Sequence, residues 1–126
     1  MKDLDTSIRL YRESTSREAL SGFLKATFTK YGMEDKIDEA IKVIQAESGW
    51  NIFAVGDDGT SKGILQYQKA TWNENCLEFS DYESLDPYAQ IGCLAKMWDR
   101  KMEYRWTTWC RMFGKNEVKC NYVNGK

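Results

Sequence analysis

Apolar residues recur every three to four positions along most of this 126-residue chain, so a mainly helical fold is expected. The first clear helix is predicted over residues 16–31, because Thr15 and Glu18 form a capping box and Gly32 suits a left-handed helix end. The apolar face of this helix is formed by Ala19, Leu20, Phe23, Leu24, Thr27, Phe28 and Tyr31. No repeat or Gly/Ser/Pro-rich linker divides the chain, so one domain over residues 1–126 is expected.

Three shorter segments carry the same helical signal. A second helix is predicted over residues 35–48 and ends at Gly49. Its apolar stripe comprises Ile37, Ala40, Ile41 and Ile44. Short helices are predicted over residues 69–77 and 106–113, the latter closed by Gly114.

A long helix and a hairpin complete the predicted elements. Asp86 and Pro87 mark the start of the long helix as N-cap and first helical residue. Its buried face is expected to contain Tyr88, Ile91, Ala95, Trp98 and Met102. Residues 51–66 instead show short β-type runs around Asp58-Gly59, which is a hairpin turn signal.

The two ends of the chain show the weakest patterns. Residues 1–14 are expected to form a short helix or a frayed arm, and the polar tail from Lys115 is expected to be irregular. The predicted fold class is therefore mainly α (α+β), a helical domain with one small β-hairpin.

Composition excludes several classes of function. The chain has no histidine, which rules out Ser-His-Asp and Cys-His nucleophile pairs and zinc sites that require histidine. The 18 basic and 19 acidic residues give a net charge of −1, so there is no basic excess for binding nucleic acid. No segment approaches the ~20 apolar residues of a membrane span, so neither a transmembrane segment nor a signal peptide is expected.

The cysteines leave two interpretations open. Cys76, Cys93, Cys110 and Cys120 contain no CxxC pair, which argues against a zinc site of four thiolates. They could form two disulfides in any of three pairings, or remain four buried thiols.

No metal or cofactor is expected, since the Gly56–Gly59 turn lacks the spacing of a calcium-binding EF-hand loop.

Glu47 is the residue whose position most suggests chemistry. It continues the apolar stripe of the second predicted helix, where a solvated glutamate is out of place. It also lies in the last helical turn, where the carbonyl end of the helix dipole disfavours a negative charge. Burial and the dipole both raise a carboxyl pKa, and a carboxyl protonated near neutral pH can act as a general acid. The alternatives are a glutamate that turns to solvent or pairs with a lysine.

The sequence after Glu47 resembles the catalytic region of the lysozyme superfamily. The pattern is similar to that of soluble lytic transglycosylase (SLT) and goose-type lysozyme domains, which have a catalytic Glu-Ser, a hairpin and a Gly-Leu-Met-Gln-like strand. The corresponding segments here are Glu47-Ser48-Gly49-Trp50-Asn51, the Asp58-Gly59 turn and Gly63-Ile64-Leu65-Gln66. The likeness is specific over residues 44–72 and weaker over residues 86–109. It implies a lysozyme-like helical domain in which Glu47 is the catalytic acid.

The resemblance also implies a set of substrate-binding residues. Ser48 would orient the site and Gln66 would face the sugar, although Ser48 could equally cap the helix end and Gln66 could be a buried amide that ties the hairpin to the helix. Candidates for stacking on sugar rings are Trp50, Tyr67 and Trp106, with core packing as the alternative for each.

Two features depart from related patterns. Animal-type lysozymes carry an aspartate just before the Gly-Ile-Leu-Gln strand, but no aspartate immediately precedes Gly63 here, and Asp57 and Asp58 are expected to lie too far up the hairpin, in solvent, to form a catalytic pair. The Tyr-Asn-Ala-Gly motif, whose tyrosine touches the catalytic glutamate, is also missing, and Tyr104 is the candidate to replace it.

The predicted function follows from this resemblance. The chain is expected to cleave the β-1,4 bond between N-acetylmuramic acid (MurNAc) and N-acetylglucosamine (GlcNAc) in peptidoglycan, using Glu47 as a single acid/base. The favoured reaction is that of a lytic transglycosylase with a 1,6-anhydro product, and lysozyme-type hydrolysis is the other. The alternative is a non-catalytic module of the same fold that binds glycan or protein.

The biological setting is only outlined by the sequence. The protein is expected to be a monomer that acts at the cell wall or in the periplasm. It suits a bacteriophage lysis or virion protein made in the cytoplasm without a signal peptide, or a domain of an exported bacterial protein.

Overall fold

The computed structural model describes residues 2–124 and the side chains of residues 5–123, so Met1 and the last two residues of the predicted tail lie outside it. The chain is mainly helical with a small sheet, which confirms the predicted fold class. The α-helices are α1 (Lys2–Ser14), α2 (Arg17–Lys30), α3 (Ile37–Ser48), α4 (Lys69–Asn75), α5 (Pro87–Asp99), α6 (Thr107–Phe113) and α7 (Asn121–Asn124). The antiparallel strands are β1 (Val55–Gly56), β2 (Ser61–Lys62) and β3 (Tyr67–Gln68), in that order in the sheet.

Helix α5 forms the centre of the core. Within it only Tyr88, Lys96 and Asp99 are more than slightly exposed, and a helix enclosed in this way must be apolar on nearly all sides. Helices α2 and α3 pack on this core through Leu20, Leu24, Phe28, Ala40, Val43 and Ile44. The rings of Phe28 and Trp98 meet edge to face with centroids 5.8 Å apart. Between residues 2 and 124 no helix has the length and apolar character needed to cross a membrane.

The start of α2 differs by one residue from the prediction. Ser16 is the N-cap, and its hydroxyl accepts a hydrogen bond from the Ala19 N–H at 3.2 Å. Thr15 instead donates to the Tyr11 carbonyl at 2.8 Å, so its hydroxyl serves the end of α1. The buried face of α2 is also narrower than predicted, because Phe23 and Tyr31 are more than a third exposed.

The predicted caps of α5 are confirmed at its start. The Asp86 carboxylate accepts a hydrogen bond from the Tyr88 N–H at 2.9 Å, and Pro87 is the first helical residue. The helix stops at Asp99, however, and Met102 does not belong to it. The chain reverses at Lys101, whose φ is 62°, and the Met102 N–H returns to the Met97 carbonyl at 3.0 Å.

The segment Gly63–Gln66 is a turn between β2 and β3, and the prediction of a strand there is wrong. Ile64 and Leu65 are both fully buried, whereas neighbouring residues of a strand point to opposite faces. Gly63 adopts a φ of 85° and Gln66 a φ of 52°, which bends the chain and brings both apolar side chains inward.

Two disulfides fasten the second half of the chain. Cys76, at the end of α4, pairs with Cys93 of α5, and their Cα atoms are 5.6 Å apart. Cys110 pairs with Cys120, and their Cα atoms are 5.5 Å apart. The tail after Lys115 was predicted to be irregular, but it contains a 3-10 turn at Val118–Cys120 and then α7. Burial of Cys120 and its bond to α6 hold this short segment against the core.

Candidate active site

Glu47 lies in the last turn of α3, where Gly49 ends the helix with a φ of 60°. Its half-buried side chain reaches a cleft of about 770 Å³ between the end of α3, the sheet and α6. The cleft is also lined by Asp57, Gln66, Tyr67, Tyr104, Trp106 and Thr108. Five of the seven site residues predicted from the sequence therefore meet in one cavity.

The pKa of Glu47 lies above its usual range. Burial of the carboxyl is the largest cause, and the negative charge of Asp57 acts in the same direction. The hydrogen bond from Thr108 and the positive charge of Arg111 oppose this rise without cancelling it. A raised pKa keeps a larger fraction of the side chain protonated, as a general acid requires.

Thr108, in the first turn of α6, holds the Glu47 side chain. Its hydroxyl donates a hydrogen bond to Glu47 Oε1 at 2.5 Å. In the described part of the chain no such bond links the Tyr104 hydroxyl to Glu47, although Tyr104 lines the cleft. No sequence pattern points to Thr108, because the contact joins residues 61 positions apart.

Asp57 is a second carboxylate of the cleft. It lines the same cavity as Glu47, and its negative charge raises the pKa of Glu47; that it lies too far up the hairpin to form a catalytic pair stays a prediction. The prediction that its side chain meets solvent is correct. The Ser61 hydroxyl donates to Asp57 Oδ2 at 2.5 Å, and the φ of Asp57 is 50°. Aspartate is among the residues that tolerate this left-handed conformation.

Gln66 lines the cleft and also braces the sheet. Its amide nitrogen donates to the carbonyl oxygens of Ala54 at 3.1 Å and Gly63 at 2.8 Å. Both amide hydrogens therefore serve the fold, and the amide oxygen lies against Gly56. Both acceptors lie in the hairpin region, so these bonds brace the hairpin internally rather than tie it to a helix, the alternative expected from the sequence.

Tyr67 and Trp106 form an aromatic wall at the base of the cleft. They are 2% and 6% exposed, and their rings meet edge to face with centroids 5.5 Å apart. The Trp106 indole donates to the Leu65 carbonyl at 3.1 Å. Burial holds the pKa of Tyr67 well above its usual range, so its hydroxyl stays neutral. Both rings are therefore mostly packed into the protein.

Ser48 and Trp50 do not line this cleft. The Ser48 hydroxyl donates to the Ile64 carbonyl at 2.7 Å and accepts from the Trp50 N–H at 3.1 Å, so it joins the end of α3 to the turn. Trp50 is 7% exposed and faces a separate apolar pocket beneath α1, which is also lined by Ile8, Tyr11 and Phe53.

The turn that carries Gln66 is fixed by buried polar side chains from three separate elements. Ser48 and Trp106 bind the carbonyls of Ile64 and Leu65, as described above. Gln90 of α5 accepts from the Leu65 N–H at 3.0 Å and donates to the Lys62 carbonyl at 3.3 Å. These bonds place the cleft wall on the rigid core.

No group of His, Cys, Asp and Glu side chains suited to a metal ion occurs within the described residues. Comparisons of the chain with models of protein families, with curated proteins and with solved structures gave no match.

Proposed function

We propose that this protein cleaves the glycan strand of peptidoglycan at the MurNAc-GlcNAc bond, with Glu47 as the acid/base. The observation that carries the proposal is the Glu47 carboxyl itself: half buried, with a raised pKa, and placed in the wall of an open polar cleft. The resemblance of residues 44–72 to the catalytic region of lysozyme-like domains supports the same assignment.

The first step is protonation of the glycosidic oxygen by Glu47 as the bond to C1 of the muramyl residue breaks. Glu47 is then a carboxylate and can accept a proton. In the transglycosylase route that proton comes from the C6 hydroxyl of the same sugar, whose oxygen bonds to C1 and closes a 1,6-anhydro ring. In the hydrolytic route water supplies the oxygen and the proton instead.

Asp57 bears on the choice between the two routes. The transglycosylase route needs one carboxyl, and Glu47 supplies it. Because Asp57 lies in the same cleft, a second carboxylate is available to accept a proton from an attacking water. The 1,6-anhydro product remains our leading proposal, and hydrolysis is the route that Asp57 supports.

The two disulfides fit the proposed setting. Disulfides persist in oxidising compartments and are rare in the cytosol. Peptidoglycan lies outside the cytoplasmic membrane, so an enzyme that reaches it works where Cys76–Cys93 and Cys110–Cys120 remain oxidised.

The proposal is tested by comparing wild-type protein with Glu47→Gln on purified cell walls. Removal of the general acid should lower the rate of glycan release by about 10²–10⁴-fold. Glu34→Gln is the matched control, since Glu34 is an exposed glutamate outside the cleft, and it should retain full activity. Equal activity of Glu47→Gln and wild type would refute the mechanism. Binding of wall glycan without cleavage by the wild type would favour a non-catalytic module.

A further inference from the structure

Three basic side chains line the cleft beside Tyr104: Arg105, Arg111 and Lys119, which we call the basic wall. All three are exposed to solvent. The acidic residues that line the same cleft are Glu47 and Asp57, and Glu47 carries a reduced negative charge because its pKa is raised. The cleft is therefore positive in a chain whose net charge is −1.

The fold holds the basic wall in place. Arg111 follows Cys110 and Lys119 precedes Cys120, so the disulfide between these cysteines brings the two cations onto one side of the cleft. Lys119 Nζ lies 5.0 Å from the centroid of the Tyr104 ring. The Arg105 guanidinium donates to the Thr71 hydroxyl at 3.0 Å. Cations positioned in this way lose less entropy on binding an anion than freely moving surface side chains.

No described carboxylate forms an ion pair with the basic wall. The ion pairs found among the described residues join other side chains: Lys36–Glu103, Lys62–Glu83, Lys69–Glu83 and Lys96–Glu78. The positive charge of Arg111 acts on Glu47, but no ion pair forms between them. Three cations that form no ion pair with the described carboxylates are available, at the edge of a substrate cleft, to an anionic ligand.

We infer that the basic wall is a subsite for the carboxylates of the muramyl residue, so that the cleft selects an acidic glycan over a neutral one. The inference rests on the proposed function. Peptidoglycan carries carboxylates on its peptide stems, and a muramyl residue without a stem carries one on its lactyl group. Chitin has the same β-1,4 linkage and N-acetyl groups but no carboxylate. Guanidinium groups suit carboxylates because they can form two parallel hydrogen bonds.

The test measures binding rather than cleavage, so that its outcome is separate from that of the proposed function. Glu47→Gln protein, which blocks turnover, is titrated calorimetrically with three soluble tetrasaccharides. These are a GlcNAc-MurNAc oligomer with peptide stems, the same oligomer with the stems removed, and a chitin oligomer. The double variant Arg111→Gln/Lys119→Gln is compared in the same background. Lys25→Gln/Lys30→Gln removes the same charge from the exposed face of α2 and is the matched control.

We expect the muramyl oligomers to bind more tightly than the chitin oligomer. The double variant should lose about 3- to 10-fold in affinity for the muramyl oligomers and less than about 2-fold for chitin. Higher salt should reproduce the selective loss, because the contacts are solvent-exposed. A loss restricted to the stem-bearing oligomer would identify the stem carboxylates, and an equal loss on both would identify a carboxylate close to the sugar.

Two results would overturn the inference: an equal loss for muramyl and chitin oligomers, or no loss relative to the control. Arg111→Lys/Lys119→Arg keeps both charges and should keep the preference, which separates a charge effect from a folding defect. Wild-type protein that binds muramyl oligomers selectively but releases no new glycan ends would refute the proposed function alone.

Discussion

Gly63 is the position where a single methyl group should damage the cleft most without touching Glu47. Its φ is 85°, a backbone angle that residues other than glycine rarely adopt. A Cβ atom built at this position would lie 2.2 Å from Gln90 Nε2 and 2.6 Å from Gln90 Oε1. Gly63→Ala therefore forces Gln90 away from its place beneath the turn.

The cost of Gly63→Ala follows from these contacts. The left-handed backbone costs about 1–2 kcal/mol for alanine. Displacing Gln90 leaves the buried Leu65 N–H without its acceptor, which costs about 1–3 kcal/mol more. The substitution should thus remove about 3 kcal/mol from a total stability of about 5–15 kcal/mol. It should also loosen the segment that carries Gln66 into the cleft.

Chemical denaturation followed by tryptophan fluorescence measures this loss. Gly32→Ala is the matched control, because Gly32 has a φ of 72° but no atom within 4 Å of a built Cβ. It should lose only the backbone term of about 1–2 kcal/mol. In a double-mutant cycle Gln90→Ala should relieve the clash, so that the double variant costs less than the two single variants together. If Gly63→Ala costs no more than Gly32→Ala, or shows no coupling to Gln90, the account of this turn is wrong.

Three further predictions concern Glu47. Thr108→Val removes a hydrogen bond to a charged acceptor, which is worth about 1.5–3 kcal/mol. The pKa of Glu47 should therefore rise, and the basic limb of the pH–activity profile should move to higher pH. Thr108→Ser keeps the hydroxyl and should not move this limb. Asp57→Asn removes a neighbouring negative charge, so the same limb should move to lower pH; an unchanged limb would show that the two carboxyls are not coupled. Glu47→Gln should stabilise the fold by about 0.5 kcal/mol at neutral pH, a small gain because the carboxylate meets solvent in the cleft. The pKa of Glu47 is higher in the folded protein than in the unfolded chain. The gain in stability should therefore vanish below the unfolded-state pKa and grow as the pH rises through the folded-state pKa. Thermal melts of both proteins at several pH values would measure this gain.

Local patterns were enough to predict helices α2 to α6 and the position of Glu47, but not α7 in the polar tail. Asp86 and Pro87 define the start of α5 through chemistry confined to neighbouring residues, and Gly49 does the same for the end of α3. The apolar stripe continued to Glu47, and burial of its carboxyl is the main cause of its raised pKa.

The parts that sequence analysis missed depend on contacts between distant residues. Gly63–Gln66 has the composition of a strand, but Gln90 and Trp106, 24 or more positions away, hold it as a turn. Thr108 approaches Glu47 only because α6 packs against the end of α3. Asp57, which lines the cleft, has a left-handed backbone conformation that no short motif encodes.

Mass spectrometry of peptidoglycan digested by the wild-type protein shows whether Glu47 cleaves the glycan strand. We expect new glycan ends at muramic acid, with 1,6-anhydro ends as the leading expectation and reducing ends if water attacks instead. These ends should be absent from a digest with Glu47→Gln at the same protein concentration. A digest without new muramic ends, or with the same ends from both proteins, would contradict the assignment of Glu47 as the acid that cleaves the glycan.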